Sequence, residues 1–73
     1  MNEKTLKEAR KIIAGFLKQR RLELGYSQAY IAEKTGLGLR TIVRAEQADF
    51  WLGMKQFVLI CDVLKIDYKK IFE

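Results

Sequence analysis

The chain has 73 residues, of which 49% are hydrophobic and 32% charged, and it carries a net charge of +5. A domain this small buries only about 60% of the surface its unfolded chain exposes, so one core of marginal stability is expected and a catalytic cleft between domains is not. The sequence has one cysteine, Cys61, and no histidine; this excludes an internal disulfide framework, a conventional zinc site and a Cys-His nucleophile pair, and makes a reducing cytoplasm the simplest home.

The positive charge is unevenly placed. Residues 1–44 hold ten Lys/Arg against four Asp/Glu, whereas residues 45–73 hold four against five, so a polyanion would meet the first part of the chain. No stretch approaches the roughly 18 apolar residues of a membrane span, and no apolar export segment opens the sequence, so no membrane partner is expected. The carboxylates Glu33, Glu46, Asp49, Asp62 and Asp67 form no catalytic motif, and neither an enzyme activity nor a cofactor is expected.

Proline is absent and apolar residues recur at three- and four-residue steps, which is the helical period and makes the class all-α. A first helix carries Leu6, Ala9, Ile13, Phe16, Leu17 and Leu24 on or near one inward stripe and ends at Gly25. Residues 1–12 extend this helix or form an arm ahead of a core over 13–72, the whole forming one domain over 1–73.

Ser27 is placed to cap a second helix over Gln28 to Thr35, and Gly36 stops it. Gly38 opens a third helix, Leu39 to about Gln47, with Ile42 and Ala45 facing inward and Arg40, Val43, Arg44 and Gln47 facing outward. A loop over Ala48 to Gly53 carries Phe50 and Trp51, either as lids on the core or as an anchor for a partner subunit. A fourth helix from about Met54 presents Phe57, Ile60, Cys61 and Leu64 on one face, Cys61 as a small buried hydrophobe. Asp67 caps a short fifth helix, Tyr68 to Phe72, whose Ile71 and Phe72 close the core.

Two short helices joined by a tight glycine-bearing turn, the second exposing a polar and basic face, have the geometry of a DNA-binding helix-turn-helix. Ser27-Gln28, Ile31-Ala32, Gly36-Leu37, Thr41-Ile42 and Glu46 resemble, at matching spacing, the Cro/C1-type (XRE) family of phage and bacterial repressors. The resemblance runs from about Ile13 to Phe72 and takes in Arg21 and Gly25. It implies a compact five-helix lambda-repressor-like domain that binds double-stranded DNA, usually as a homodimer on a palindromic operator. The pattern loosens after Glu46, where Ala48 and Leu52 replace a common glycine and proline.

By the same resemblance, Leu39, Arg40, Val43 and Arg44 read bases in the major groove, while Gln28, Thr41 and Gln47 contact the DNA backbone. Arg21 and Glu46 match a structural ion pair between the first helix and the end of the third. Lys18 and Arg20, the cations nearest the motif, are further backbone candidates. An arginine can pair bidentately with guanine, which is worth about 1–3 kcal/mol of discrimination, so guanines are expected in the half-site. The implied function is a transcriptional regulator, a repressor acting by operator occupancy. The alternative is an antitoxin or interaction module that uses the same fold to hold a protein partner.

Overall fold

The structure is a computed structural model that describes residues 3–48 and 51–69. Among these residues it contains four helices and no strand: α1 (Glu3–Glu23), α2 (Gln28–Thr35), α3 (Leu39–Glu46) and α4 (Met54–Val63). Residues 3–12, expected as either helix or arm, form the first half of α1.

The helix ends have local causes. Gly25, at φ 74°, adopts a left-handed conformation that side chains disfavour. Its N–H donates to the Leu22 carbonyl while that of Tyr26 donates to the Arg21 carbonyl, both at 3.1 Å, the paired bonds of a Schellman stop. Two residues later, the Ser27 hydroxyl accepts from the Tyr30 N–H at 3.0 Å, satisfying one of the orphan donors at the start of α2. Gly36 ends α2 in the left-handed region, and its N–H donates to the Ala32 carbonyl at 3.0 Å.

Thr35 fixes the turn that follows. Its hydroxyl donates to the Ile31 carbonyl at 2.7 Å and accepts from the Leu37 N–H at 3.2 Å, so the direction of exit from α2 is held by a side chain as well as by glycine geometry. At the start of α4, Gln56 Oε1 accepts from the Gly53 N–H at 3.0 Å. This is half of a capping box, since glycine has no side chain to return the bond.

Ile31, Ala32, Ile42, Ile60, Leu64 and Leu17 form the buried core, with Tyr26, Leu37, Leu52, Phe57 and Ile66 packed around it. α2 lies against both α3 and α4, and α1 lies against α3. Burying each Leu or Ile side chain contributes about 1.5–3 kcal/mol. Cys61 is fully buried, and burial pushes its thiol above the ordinary value, so the reactive thiolate is disfavoured.

One expectation is corrected, and another is met only in part. The inward line of α1 is Ala14, Leu17 and Arg21, whereas Ile13 is 36% and Phe16 56% exposed. The apolar sector of α1 is wider than the surface it meets, and the need for Arg21 to face inward rotates the helix toward Ala14 at the expense of Phe16. The fifth helix is met only at its start: Tyr68 and Lys69 form a short 3₁₀ turn, and Asp67 Oδ1 accepts from the Lys69 N–H at 3.1 Å. Ile71 and Phe72, like Phe50 in the loop, lie outside the described residues.

Among the described residues, two non-glycine residues occupy the left-handed region, Ala48 just after α3 and Lys65 just after α4, both at φ 58°. A side chain there costs about 1–2 kcal/mol, against about 0.5–1 kcal/mol for the extra unfolded-state freedom of glycine. Ala48→Gly is therefore expected to stabilise the fold by about 0.5–1 kcal/mol, raising the thermal midpoint by several degrees in a domain of this size. A melt followed by circular dichroism checks this; an unchanged or lower midpoint would show that Ala48 is not strained.

Candidate nucleic-acid interface

α3 is a two-turn helix with two unlike sides. Ile42 and Ala45 are 2% and 6% exposed and point into the core, while Leu39 is 50% exposed and Arg40 and Gln47 are exposed. Thr41, Val43 and Arg44 are half-buried. Arg40 and Arg44 are one turn apart and so share a face of the helix. An eight-residue helix does not persist on its own in water, so this side is presented only because the opposite side is held.

An ion pair supplies part of that hold. Arg21 Nε donates to Glu46 Oε2 at 2.8 Å and Nη2 to Oε1 at 3.0 Å, a bidentate pairing of guanidinium with carboxylate. Nη1 donates to the Tyr26 carbonyl at 2.7 Å, so the same side chain ties α1 to the start of the α2 segment and to the end of α3. The hydrogen bonds that Arg21 donates to Glu46, reinforced by the carboxylate's charge, hold the guanidinium pKa above its ordinary value against the opposing effect of burial. The Arg21 side chain is 10% and that of Glu46 7% exposed, which places the pair among buried rather than surface salt bridges.

Gln28 joins this cluster. Its Nε2 donates to Glu46 Oε1 at 3.2 Å, and the residue is half-buried at the first position of α2. Arg20 is also engaged, with Nε donating to the Leu64 carbonyl at 3.0 Å and Nη1 lying 3.6 Å from Glu23; a phosphate contact there requires release of those bonds. Lys18 is exposed on α1. Leu52 and Ile66 pack against the core, while Trp51, expected either as a lid on that core or as an anchor for a partner subunit, is 45% exposed.

Behind the ion pair, between Ala45 and Leu17, Ile31, Ile42 and Ile60, the core encloses a void of about 10 Å³. That is the lower limit for a single water and too small for an effector molecule. Among the described residues no group of three His, Cys, Asp or Glu is placed to hold a metal ion, and no helix is long and apolar enough to cross a membrane.

A helix-turn-helix family model matches residues 17–71, from the buried Leu17 of α1 to beyond α4. The chain belongs to the Cro/C1-type helix-turn-helix family. No curated protein and no solved structure matches it. As a member of this regulatory family it is a DNA-binding helix-turn-helix protein whose partner is double-stranded DNA. α2 and α3 are the two helices of the motif, and α3 is the one whose outer side meets the groove in such domains.

Sequence reasoning missed the bond from Gln28 to Glu46, the bond from Arg20 to Leu64, and the stacking of Arg10 on Trp51, whose ring centroid lies 5.7 Å from the guanidinium carbon. Each joins residues from separate segments, with no local spacing to announce it. The ion pair itself yields a test. Glu46→Leu is expected to destabilise the helix-turn-helix domain by about 3–5 kcal/mol, because it strands a buried guanidinium. Combining it with Arg21→Met should cost much less than the sum of the two single changes, measured by urea unfolding. Additive losses would mean that the two side chains do not act as a pair.

Proposed function

We infer that this helix-turn-helix protein is a repressor that acts in the cytoplasm by occupying a palindromic operator as a homodimer. The single observation that carries the reading is the division of α3: Ile42 and Ala45 are buried, and Arg40 and Leu39 stand in solvent on the other side. A helix anchored in this way has the width to enter a major groove and the rigidity to keep its outer side chains in register.

In this reading Arg40 and Arg44 address guanine O6 and N7, while Leu39 and Val43 touch thymine methyl groups. Gln28 sits at the first turn of α2, where unpaired backbone N–H groups and the helix dipole favour a phosphate; its bond to Glu46 sets the side chain at the edge of the same surface. Thr41, Gln47 and Lys18 contribute further backbone contacts, and Arg20 does so only if it leaves Leu64 and Glu23. Repression follows from steric blockade, the simplest mechanism for a chain whose outer helix occupies the groove. Two-fold pairing places a second copy of α3 about 34 Å away, one turn of DNA along the same face.

Selection of bound duplexes from a random library at near-physiological salt tests the base readers. Arg44→Ala is expected to relax preference at one base position, at a cost of about 1–3 kcal/mol for the preferred site; an unchanged selected sequence would remove Arg44 from the reading surface. Dimerisation is tested separately by sedimentation. The protein is expected as a dimer on a palindromic duplex, and a monomer both free and with that duplex would refute the two-fold arrangement.

A further inference from the structure

Beyond the α2–α3 motif, the geometry points to a second, sequence-independent DNA contact: a lysine ridge along α1, formed by Lys4, Lys7, Lys11 and Lys18, that lies on the phosphates flanking the half-site. The inference rests on the DNA-binding reading above and extends its single contact on α1, Lys18, to Lys4, Lys7 and Lys11, which that reading leaves unused.

Six cations precede Arg21 on α1, and the structure sorts them into two kinds. Arg10 is half-buried with its guanidinium over the Trp51 ring, its Nε covered and without a hydrogen-bond partner, and Arg20 is bound to the Leu64 carbonyl. Both are braces within the fold. Lys4, Lys7, Lys11 and Lys18 are all exposed. At 3.6 residues per turn they fall within a sector of about 60° on the helix surface and span about 21 Å along its axis.

The remaining sides of α1 are taken by other chemistry. Ile12 and Phe16, 72% and 56% exposed, lie more than about 100° from the centre of the lysine sector, and Glu8 and Glu23 fall outside it as well. Glu3 and Glu8 flank the ridge, each about 40° beyond one of its edges, in the half of α1 far from the motif. The ridge is thus a row of four ammonium groups with two carboxylates beside it, a strip of net positive charge rather than a balanced one.

Its position relative to the motif fixes the partner. Arg20, on the far side of the inward line, reaches toward the end of α4, so the ridge lies on the flank turned away from α4. At its C-terminal end, Lys18 stands one turn before Arg21, whose guanidinium meets Glu46 at the end of α3 and the Tyr26 carbonyl just ahead of Gln28. The row therefore runs out from the corner where Gln28 and Gln47 border the groove-facing side. A duplex lying on α3 carries its backbone past that corner, and a row of point charges without planar geometry suits phosphate rather than base edges.

The test measures binding of the purified full chain to its selected duplex, and to an unrelated duplex of equal length, over a range of salt concentrations. A variant combining Lys4→Gln, Lys7→Gln and Lys11→Gln is compared with a distant control, Lys65→Gln with Lys69→Gln. The ridge variant is expected to lower affinity for both duplexes at least tenfold at low salt and to make the log-log salt slope shallower by about 0.9 for each phosphate no longer neutralised, while the preferred sequence stays the same. Arginine at the three positions should restore the slope. A ridge variant with the wild-type slope, or a distant control whose affinity falls as far, overturns the ridge and leaves the motif reading standing. A wild-type protein that binds no duplex at low salt overturns both.

Discussion

A bidentate contact between Arg21 and Glu46, closed off from water, decides where α3 sits relative to α1 and α2. Two unit charges leave solvent to form it, and the desolvation this costs is offset only when the geometry is good and the remaining polar atoms are satisfied. Both conditions hold. The guanidinium makes two bonds to the carboxylate and a third to the Tyr26 carbonyl, and Gln28 adds a donor to the carboxylate. Because these bonds are directional, they fix the register of α3 in a way that apolar contact alone does not.

That distinction matters because α3 buries little. Only Ile42 and Ala45 of its eight residues are within the core, far too few to hold a two-turn helix that has no intrinsic stability of its own. A helix that must show one whole side to a partner cannot add apolar anchors without losing reading positions. A polar clamp at its C-terminal end, the Thr35-pinned turn at its N-terminal end and the packing of α2 against its back provide the restraint that the small core does not. Precision at the reading surface is thus secured by residues that never touch a base.

What the sequence made legible follows from the range of the interaction responsible. Helix ends were readable because their causes are local: Ser27 with Tyr30, Gly25 and Gly36 at positive φ. The inward residues of α3 were readable because, in a helix opened by Gly38, Ile42 and Ala45 fall on the side opposite Arg40 and Arg44. The orientation of α1 was not, since its apolar residues span more than half a turn and only the distant Glu46 selects the line through Arg21. The Arg21–Glu46 match came from the family pattern, whereas the part taken by Gln28 depends on three segments meeting and has no signature in spacing. The left-handed residue after α3 illustrates a partial signal: the resemblance marks a glycine at position 48, and the backbone keeps that geometry with Ala48 in place.

The net charge of a small DNA-binding chain overstates what is available to a polyanion, and α1 shows how the difference is divided. Its three arginines are drawn into the fold, on the Trp51 ring, on the Leu64 carbonyl and on Glu46, whereas its lysines stay in water. The physical cause is the difference between the two cations. A guanidinium is planar, weakly hydrated and preorganised to stack or to bond at several points, so its transfer to a half-buried site costs less than that of a compact, strongly hydrated ammonium. On α3, Arg40 is placed otherwise and stands in solvent. Where arginine stands in solvent on a braced helix, its fork remains unspent by the fold, and bidentate recognition is the use for which that side chain differs from lysine.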